Sequence, residues 1–259
     1  MTLPNTPVWT LAHLALKFPL AAGAAALGTA AYLQFAESPK PMVAITFDDG
    51  RQSIHDTALP IMQNRGMLGT VFITTGTLNG PSYMLETTLV DFVEAGWEIG
   101  AHSVSHSSMN EISDDDLFWE LHTPIRELSM LSGQEILSFA SPYGEFNYNV
   151  IDQVSLYYMN HVNAWSDQHG VTTVDNFNRF DIHRQDITAE ISVEYVCDKI
   201  TNLDDDSMYT MIFHDVTDVD GRYNTSVEKF EAVLDCVQDA DVNVVRISDG
   251  IEAMERKTK

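Results

Sequence analysis

Positive charge is scarce in this sequence. Fourteen lysines and arginines stand against 38 aspartates and glutamates, a formal net charge of −24 with an isoelectric point near 4.4. So negative a chain repels nucleic acid and anionic membrane surfaces, which excludes polyanionic partners. The acids are spread along the chain rather than gathered in a tail, the pattern of a heavily solvated surface suited to a saline medium. Cysteine is almost absent. Cys197 and Cys236 are the only two, each in a helical pattern, so the sequence predicts a pair of buried thiols and gives no guide to redox compartment. G-x-S-x-G is missing, and no glycine-rich phosphate loop follows a strand, which leaves a serine hydrolase or a nucleotide enzyme without support. A calcium loop fails as well. Aligning Asp220-Gly221 to that pattern puts Val216 and Val227 at its first and last ligand positions.

Charge is also nearly absent from the start of the chain. Lys17 is the only charged side chain in the first 36 residues, and after it Phe18 to Phe35 reads FPLAAGAAALGTAAYLQF. This has the pattern of an export signal, with small residues for cleavage around Ala24 to Ala26 or Gly28 to Ala30. Its 18 residues are also near the lower limit for a spanning helix, so an uncleaved anchor stays open. Glu37 to Pro41 reads as a linker. The expected organisation is therefore a leader or anchor plus linker over 1–38 and one globular domain over 39–259, in a protein that is exported: periplasmic, extracellular, or anchored and facing outward. With 44% hydrophobic residues the chain can bury one sizeable core, and disorder is excluded.

From Met42 onward short apolar runs alternate with helical patterns, which argues for βα units and a largely parallel sheet. Strands are expected at Val43–Phe47, Thr70–Thr74, Glu98–Ala101, Leu137–Ala140, His161–Ala164, Tyr209–His214 and Val242–Arg246. Seven such strands suit a barrel-like α/β fold whose site lies at the C-terminal strand ends. Ser113, with Asp116 three residues later, reads as a helix cap, and Asp114 to Asp116 as dipole chemistry.

The residues that follow the strand ends carry the chemistry. Asp48 and Asp49 follow the first, with Gly50 allowing the chain to bend so that neighbouring acids can face one place. His102 and His106 follow the third strand, Ser141 to Asn147 (SPYGEFN) the fourth, and His214 the sixth. Two histidines four apart are expected on one face of a helical turn, where they can grip one cation, and a carboxylate from a neighbouring strand end supplies a third ligand. Two nitrogens and one oxygen describe an open catalytic site of the zinc type.

In these motifs the chain resembles the polysaccharide deacetylases of carbohydrate esterase family 4, over roughly Met42 to Gly250. TFDDG (Thr46 to Gly50) and HSVSH (His102 to His106) match the family's T-F-D-D-G and H-[ST]-x-x-H in order. SPYG (Ser141 to Gly144) and IFH (Ile212 to His214) are similar to its third and fifth motifs. The resemblance implies a distorted (β/α) barrel, a divalent metal and hydrolysis of N-acetyl groups on an amino-sugar polymer such as chitin, poly-N-acetylglucosamine or peptidoglycan. It implies Asp49, His102 and His106 as ligands, zinc as the first choice with cobalt, nickel or manganese as alternatives, Asp48 as general base and His214 as general acid. The backbone N–H of Tyr143 would help hold the oxyanion, with Pro142 and Trp165 on the substrate side. A carboxylate near His214, Asp215 or Asp167, would favour its protonation.

The sequence departs from the family in two places. An arginine usual two residues before the motif proline is Ala140 here, and D-x-x-D-W is replaced by AWSDQHG (Ala164 to Gly170). Arg184 in DIHRQDI is the expected substitute for that arginine, supporting Asp48, with Arg179 as the alternative. Two other readings compete: a metal-dependent hydrolase of small amides, and a carbohydrate-binding member of the fold without turnover.

Overall fold

The computed structural model describes residues 40–164 and 169–259, and the segment Pro39–Lys259 forms one compact unit. The expected leader and Trp165 and Asp167 lie outside the described residues. Among the described residues no helix is long and apolar enough to cross a membrane.

The strands in chain order are β1 (Met42–Phe47), β2 (Thr70–Ile73), β3 (Glu98–Ala101), β4 (Ser138–Ala140), β5 (Asn160–Val162), β6 (Val171–Thr172), β7 (Gln185–Asp186), β8 (Met208–Phe213), β9 (Asp215–Val216), β10 (Asn224–Thr225) and β11 (Asn243–Val245). The helices are α1 (Leu59–Asn64), α2 (Leu89–Glu94), α3 (Asp114–Ser132), α4 (Tyr148–Tyr157), α5 (Val193–Thr201), α6 (Val227–Asp239) and α7 (Ile247–Lys257). All seven expected strands are present, with ends shifted by at most two residues. The two-residue strands β6, β7, β9 and β10 are too short to leave a periodic signature.

Strand β1 is buried along its whole length and organises the sheet. Its sequence, MVAITF, is apolar on both faces apart from Thr46, as a strand covered on both sides must be. On one side it pairs in parallel with all of β8, from Met42↔Met208 to Phe47↔Phe213. Its other side is divided. β11 takes the first half (Met42↔Asn243) and β2 the second (Thr46↔Thr70), so the two neighbours splay apart. From β2 the parallel pairing runs on through β3 and β4 to β5, while β6 joins β8 antiparallel. The segment that follows β6 then links the two sides of the curl: Ile182 bridges Val162 in β5, and Gln185 and Asp186 pair with Met211 and Ile212 in β8. A distorted, mostly parallel (β/α) barrel results.

Alternation along β1 separates two environments. Val43, Ile45 and Phe47 point to the helices, where Phe47 packs against Trp97 (ring centroids 5.3 Å apart), Phe213 (5.6 Å) and Phe230 (5.9 Å). Thr46 and Asp48 lie on the opposite side of the strand, toward the barrel interior. Helix starts follow local rules. Ser113, Ser192 and Ser226 each accept a backbone N–H three residues on, and Asn147 does the same for α4. Helix α3 stops at Gly133, whose φ of 74° is easy only for glycine.

The cysteines correct the expectation of free thiols. Cys197 on α5 and Cys236 on α6 form a disulfide, with Cα atoms 5.4 Å apart and a sequence separation of 39. Each residue lies in the helix the sequence anticipated; what the sequence does not show is that α5 and α6 pack side by side outside β8. A disulfide closing a loop of that length limits the unfolded chain, a stabilisation of about 2 to 4 kcal/mol. Replacing both cysteines with alanine should lower stability by that amount in denaturant titrations, and a reducing agent should do the same to the native protein.

A buried histidine sets a second stability term. His161 on β5 is fully buried between Ser141 Oγ (2.8 Å from Nε2) and the Phe180 carbonyl (3.0 Å from Nδ1). Burial pushes its pKa from 6.5 down to about 3, with Arg184 adding to the depression. The folded protein therefore holds a neutral imidazole where the unfolded chain takes up a proton. Between pH 6.5 and 3 the unfolded state is favoured as pH falls, by up to about 1.4 kcal/mol per pH unit. Melting temperature should drop across this window, and the drop should be shallower in His161→Gln measured side by side with the native protein.

Candidate active site

At the end of β1 the ladder continues one residue further, Asp48 N–H donating to the Phe213 carbonyl at 3.0 Å. Then the chain turns sharply, with Asp49 at φ 72° and Gly50 at φ 70°. Two successive left-handed residues rotate Asp49 back beside Asp48, so both carboxylates line one groove. Space at 50 is tight as well: a Cβ there would lie 3.2 Å from Ile73 Cδ1, and that side chain would have to give by a few tenths of an ångström.

The two acids have different partners. Asp48 is buried and meets Arg184 in a bidentate pair, Nη1 to Oδ1 at 2.8 Å and Nη2 to Oδ2 at 2.8 Å. Arg184, with 0% exposure, also donates from Nε to the Asn163 carbonyl (2.7 Å) and from Nη1 to Thr46 Oγ1 (3.1 Å). Burial alone would push the Asp48 carboxyl up. The Arg184 guanidinium, with His102 and His214 nearby, reverses that and holds it below the usual carboxylate range. Arg179, the alternative, lies instead beside Glu255 (3.5 Å).

Asp49 faces the histidines, its Oδ1 3.4 Å from His102 Nε2 and 3.2 Å from His106 Nε2. His102 Nδ1 donates to the Ala140 carbonyl at 2.8 Å, which leaves Nε2 as the ring nitrogen that faces Asp49. The three donor atoms lie within 4.8 Å of one another. Two imidazole nitrogens, one with its tautomer fixed from behind, and one ionised carboxylate fit a divalent transition-metal ion with coordination positions to spare.

The histidines do not sit on a helical turn. Residues 102–107 form an irregular loop in which Ser103 (φ 65°) and His106 (φ 60°) are left-handed. The four-residue spacing works here because the loop doubles back, not because of a helical period. Its conformation is held from two sides. Glu120, buried on α3, accepts from Val104 N–H (2.7 Å) and Ser105 N–H (2.9 Å) and from the Ser105 hydroxyl. The exit of β2 supplies Thr74 Oγ1 to the His102 carbonyl (3.1 Å) and Thr75 N–H to the Ser103 carbonyl (3.1 Å).

His214 stands across the groove at the end of β8. The carboxylate beside it is Asp186, its Oδ1 3.6 Å from His214 Nδ1. Asp215 does not fill that place. It binds Arg51 Nε (2.7 Å) and Ser53 Oγ (2.7 Å), because the side chain after His214 points to the other side of the chain. Burial raises the Asp186 pKa, and the nearby Asp48 charge raises it further against the pull of His214. Pro142 opens a short 3₁₀ turn in which Tyr143 is left-handed (φ 59°). The Tyr143 ring is 58% exposed and meets His106 edge-on at 4.6 Å. Together these side chains line an open groove of about 610 Å³.

Glu120 and Asp186 were missed by sequence reasoning, and each left a signal. Glu120 falls on the buried stripe of α3 with Leu117, Leu121, Pro124 and Leu128, where a carboxylate needs a reason. Asp186 stands two residues after Arg184 in an extended segment and so shares its side.

Known proteins resemble this chain in sequence and in fold. A family model described as polysaccharide deacetylase matches residues 36–162. The Bacillus subtilis (strain 168) protein YxkH, provisionally assigned as a polysaccharide deacetylase, is 23% identical over 120 residues, 45% of this chain and 43% of that protein, so the chain matches less than half of this relative's length. Among solved structures, the Xyl-CE4 domain of a multidomain xylanase from the hindgut metagenome of Trinervitermes trinervoides superposes with a TM-score of 0.61 at 20% identity, covering 84% of this chain and 91% of the other. The peptidoglycan deacetylase PdaC of Bacillus subtilis gives 0.59 at 18% identity over 85% and 94%. A family 4 acetyl xylan esterase from Clostridium thermocellum, solved with a cobalt ion, gives 0.59 at 17% over 82% and 90%. Residues 36–162 thus match the polysaccharide deacetylase family, and the fold is shared with the solved deacetylase and esterase domains.

Proposed function

We propose that this chain is a metal-dependent hydrolase that removes N-acetyl groups from an amino-sugar polysaccharide. The observation that carries the reading is the division between adjacent acids: Asp48 locked to Arg184, and Asp49 facing two imidazole nitrogens in the same groove. Asp49, His102 and His106 would hold a divalent ion, zinc by preference, with cobalt, nickel or manganese compatible with the same donors. Such an ion supplies Lewis-acid polarisation of the acetyl carbonyl and acidifies a water molecule.

The remaining tasks fall to the chain itself. Asp48, kept ionised by Arg184, accepts the proton of the attacking water as the new C–O bond forms. The backbone N–H of Tyr143 donates to the developing oxyanion, an effect worth about 3 to 4 kcal/mol for a well-placed donor. His214 then gives a proton to the departing amine as the C–N bond breaks, leaving acetate and a free amino sugar. Asp186 stands behind the ring, its Oδ1 3.6 Å from Nδ1. The exposed Tyr143 ring gives a sugar a flat surface beside the reaction centre. Export of the protein belongs to the same proposal. The charge-free stretch from Phe18 to Phe35 and the Cys197–Cys236 disulfide both support a location outside the cytoplasm, where a polysaccharide substrate is met.

Acetate release from N-acetylglucosamine oligomers, β-1,6-linked poly-N-acetylglucosamine, peptidoglycan and acetylated xylan tests the reading. Failure to release acetate from any of them, with cleavage of small ureides or imides instead, overturns it. Metal content separates the roles of the acids. Asp49→Ala and His102→Ala should leave the purified protein without metal, whereas Asp48→Asn should keep it and lose activity by a factor on the order of 10² to 10⁴. Equal metal loss in Asp48→Asn would show the assignment reversed.

Arg184 is tested through charge and shape together. Arg184→Met should lower kcat about 10- to 1000-fold with metal retained, and Arg184→Lys should recover only part of it, because an ammonium restores the charge without the two-pronged geometry. Melting curves on both variants show whether the loss is local. A lysine variant as active as the native protein would reduce the role of Arg184 to charge alone.

A further inference from the structure

Behind the Pro142–Gly144 turn stands a buried hydroxyl–imidazole pair that the reaction above does not use. Ser141, just past the end of β4, has its Oγ 2.8 Å from Nε2 of His161 on β5, and the two residues are 1% and 0% exposed. The direction of this bond is set from the far side of the ring. His161 Nδ1 lies 3.0 Å from the Phe180 carbonyl, an oxygen that can only accept, so the proton of the neutral imidazole sits on Nδ1 and Nε2 is left to accept from the Ser141 hydroxyl. Burial keeps the ring neutral, with the Arg184 charge adding to the effect.

The ring is itself held firmly. His161 N–H donates to the Arg179 carbonyl (3.0 Å), its own carbonyl accepts from Ile182 N–H (3.2 Å), and Phe139 stacks on the ring with centroids 6.2 Å apart. What it anchors is a turn with little hold of its own. Pro142 has no N–H to offer, and Tyr143 and Gly144 are both left-handed, at φ 59° and 69°. For tyrosine that conformation persists only where the surroundings impose it. Gly144 N–H to the Ser141 carbonyl (2.9 Å) and Glu145 N–H to the Pro142 carbonyl (3.1 Å) close the turn, but bonds inside a turn do not orient it in the barrel. Orientation comes from its two ends. At the entry Ser141 is tied to His161; at the exit Glu145 accepts from Ser108 Oγ (2.5 Å), and the Phe146 ring meets the same imidazole edge-on at 4.9 Å. One histidine thus touches both ends of the turn that carries the Tyr143 N–H.

We propose that His161 is a positioning residue for the hydrolytic step, a neutral imidazole that, through the Ser141 hydroxyl, fixes the direction in which the Tyr143 N–H meets the developing oxyanion. This rests on the deacetylase reading of the groove. His161 touches no substrate, so its contribution passes entirely through the turn. A donor aimed at a charge that exists only in the transition state affects turnover rather than binding, which separates this role from one in substrate recognition.

Kinetics of acetate release on whichever of the four glycans above the native protein deacetylates fastest test the proposal. Ser141→Ala should lower kcat about 10- to 100-fold, with KM within about 2-fold of the native value and metal content unchanged, since misdirecting an oxyanion donor costs part of what removing it does. His161→Asn keeps a donor on the Phe180 side and cannot reach Ser141, so it should lose kcat to the same extent. His161→Gln extends an amide oxygen toward Ser141 and should recover kcat to within a few-fold of native. Both substitutions remove the buried ring and should lower the melting temperature, yet only His161→Asn should lose turnover. The double variant Ser141→Ala/His161→Asn should be no slower than the slower single one, because both break the same bond. Ring ¹⁵N resonances at pH 7 add a reading independent of turnover, and should show His161 with its proton on Nδ1. The proposal is overturned by native kcat in Ser141→Ala, by equal kcat in the two His161 variants, by losses that multiply in the double variant, or by a proton on Nε2. Should His161→Asn fail to fold, Ser141→Ala and the ring resonances decide alone. Absence of acetate release by the native protein on all four glycans removes the deacetylase reading, and the positioning role with it.

Discussion

A guanidinium with no exposure to solvent occupies the interior of this barrel, and most of the site depends on it. Arg184 reaches Asp48, Thr46 and the Asn163 carbonyl with four hydrogen bonds, which join the end of β1 to the end of β5. The segment carrying it is the one that links β5 to β8 and so curls the sheet. Burying two charges gains little net stability, since desolvation offsets most of their attraction. What the pair supplies is definition: it fixes the direction of the Asp48 carboxylate and keeps it ionised in a place where burial favours the neutral acid. Removal of either partner would leave an uncompensated charge, at about 3 to 5 kcal/mol, so the geometry tolerates no gradual loosening.

Backbone strain is concentrated in the same region. Seven described residues other than glycine have positive φ, and four of them, Asp49, Ser103, His106 and Tyr143, line or flank the groove. Each such residue costs roughly 1 kcal/mol or more and persists only where its surroundings dictate the conformation. Those surroundings are identifiable. Glu120 and the Thr74–Thr75 exit of β2 hold the histidine loop, and Pro142 precedes Tyr143. The rigid part of the protein, a sheet buried on both faces, thus carries a rim of loops whose preferred conformations are overridden by specific hydrogen bonds.

Much of the fold was legible in the sequence because buried parallel strands leave continuous apolar runs, and MVAITF and MYTMIF do so plainly. Strands of two residues leave none, so β7, which anchors Asp186 and follows Arg184, could not be read as a strand. The residues around the groove were legible as motifs and their partners were not. Four-residue spacing between histidines indicated a shared site but pointed to the wrong backbone, since a helical turn and a doubled-back loop can bring the same two rings together. Asp215 was a natural partner for His214 by adjacency. Adjacency in an extended segment places side chains on opposite sides, and the position fell to Asp186, 28 residues away in sequence. The disulfide escaped for a similar reason: it depends on which two helices pack together, a property of topology that neither helix encodes alone.

Two neighbouring carboxylates cannot both stay ionised at close range unless each has its own cation. Asp48 has a permanent one in Arg184, while Asp49 is provided with donors suited to a removable one. The side from which the permanent charge arrives shapes the rest of the site. With alanine at position 140, no long side chain leaves the end of β4, and the strand contributes its carbonyl instead, as the acceptor that fixes the His102 tautomer. Arg184 approaches from the β7 side and leaves the β4 side to the histidine loop and Tyr143. Arg184 already occupies both oxygens of the Asp48 carboxylate, so a guanidinium from position 140 would have to compete for the same acceptors. The small residue at 140 and the arginine at 184 are therefore one arrangement rather than two independent substitutions, and restoring arginine at 140 would compete with the geometry that Arg184 has already set.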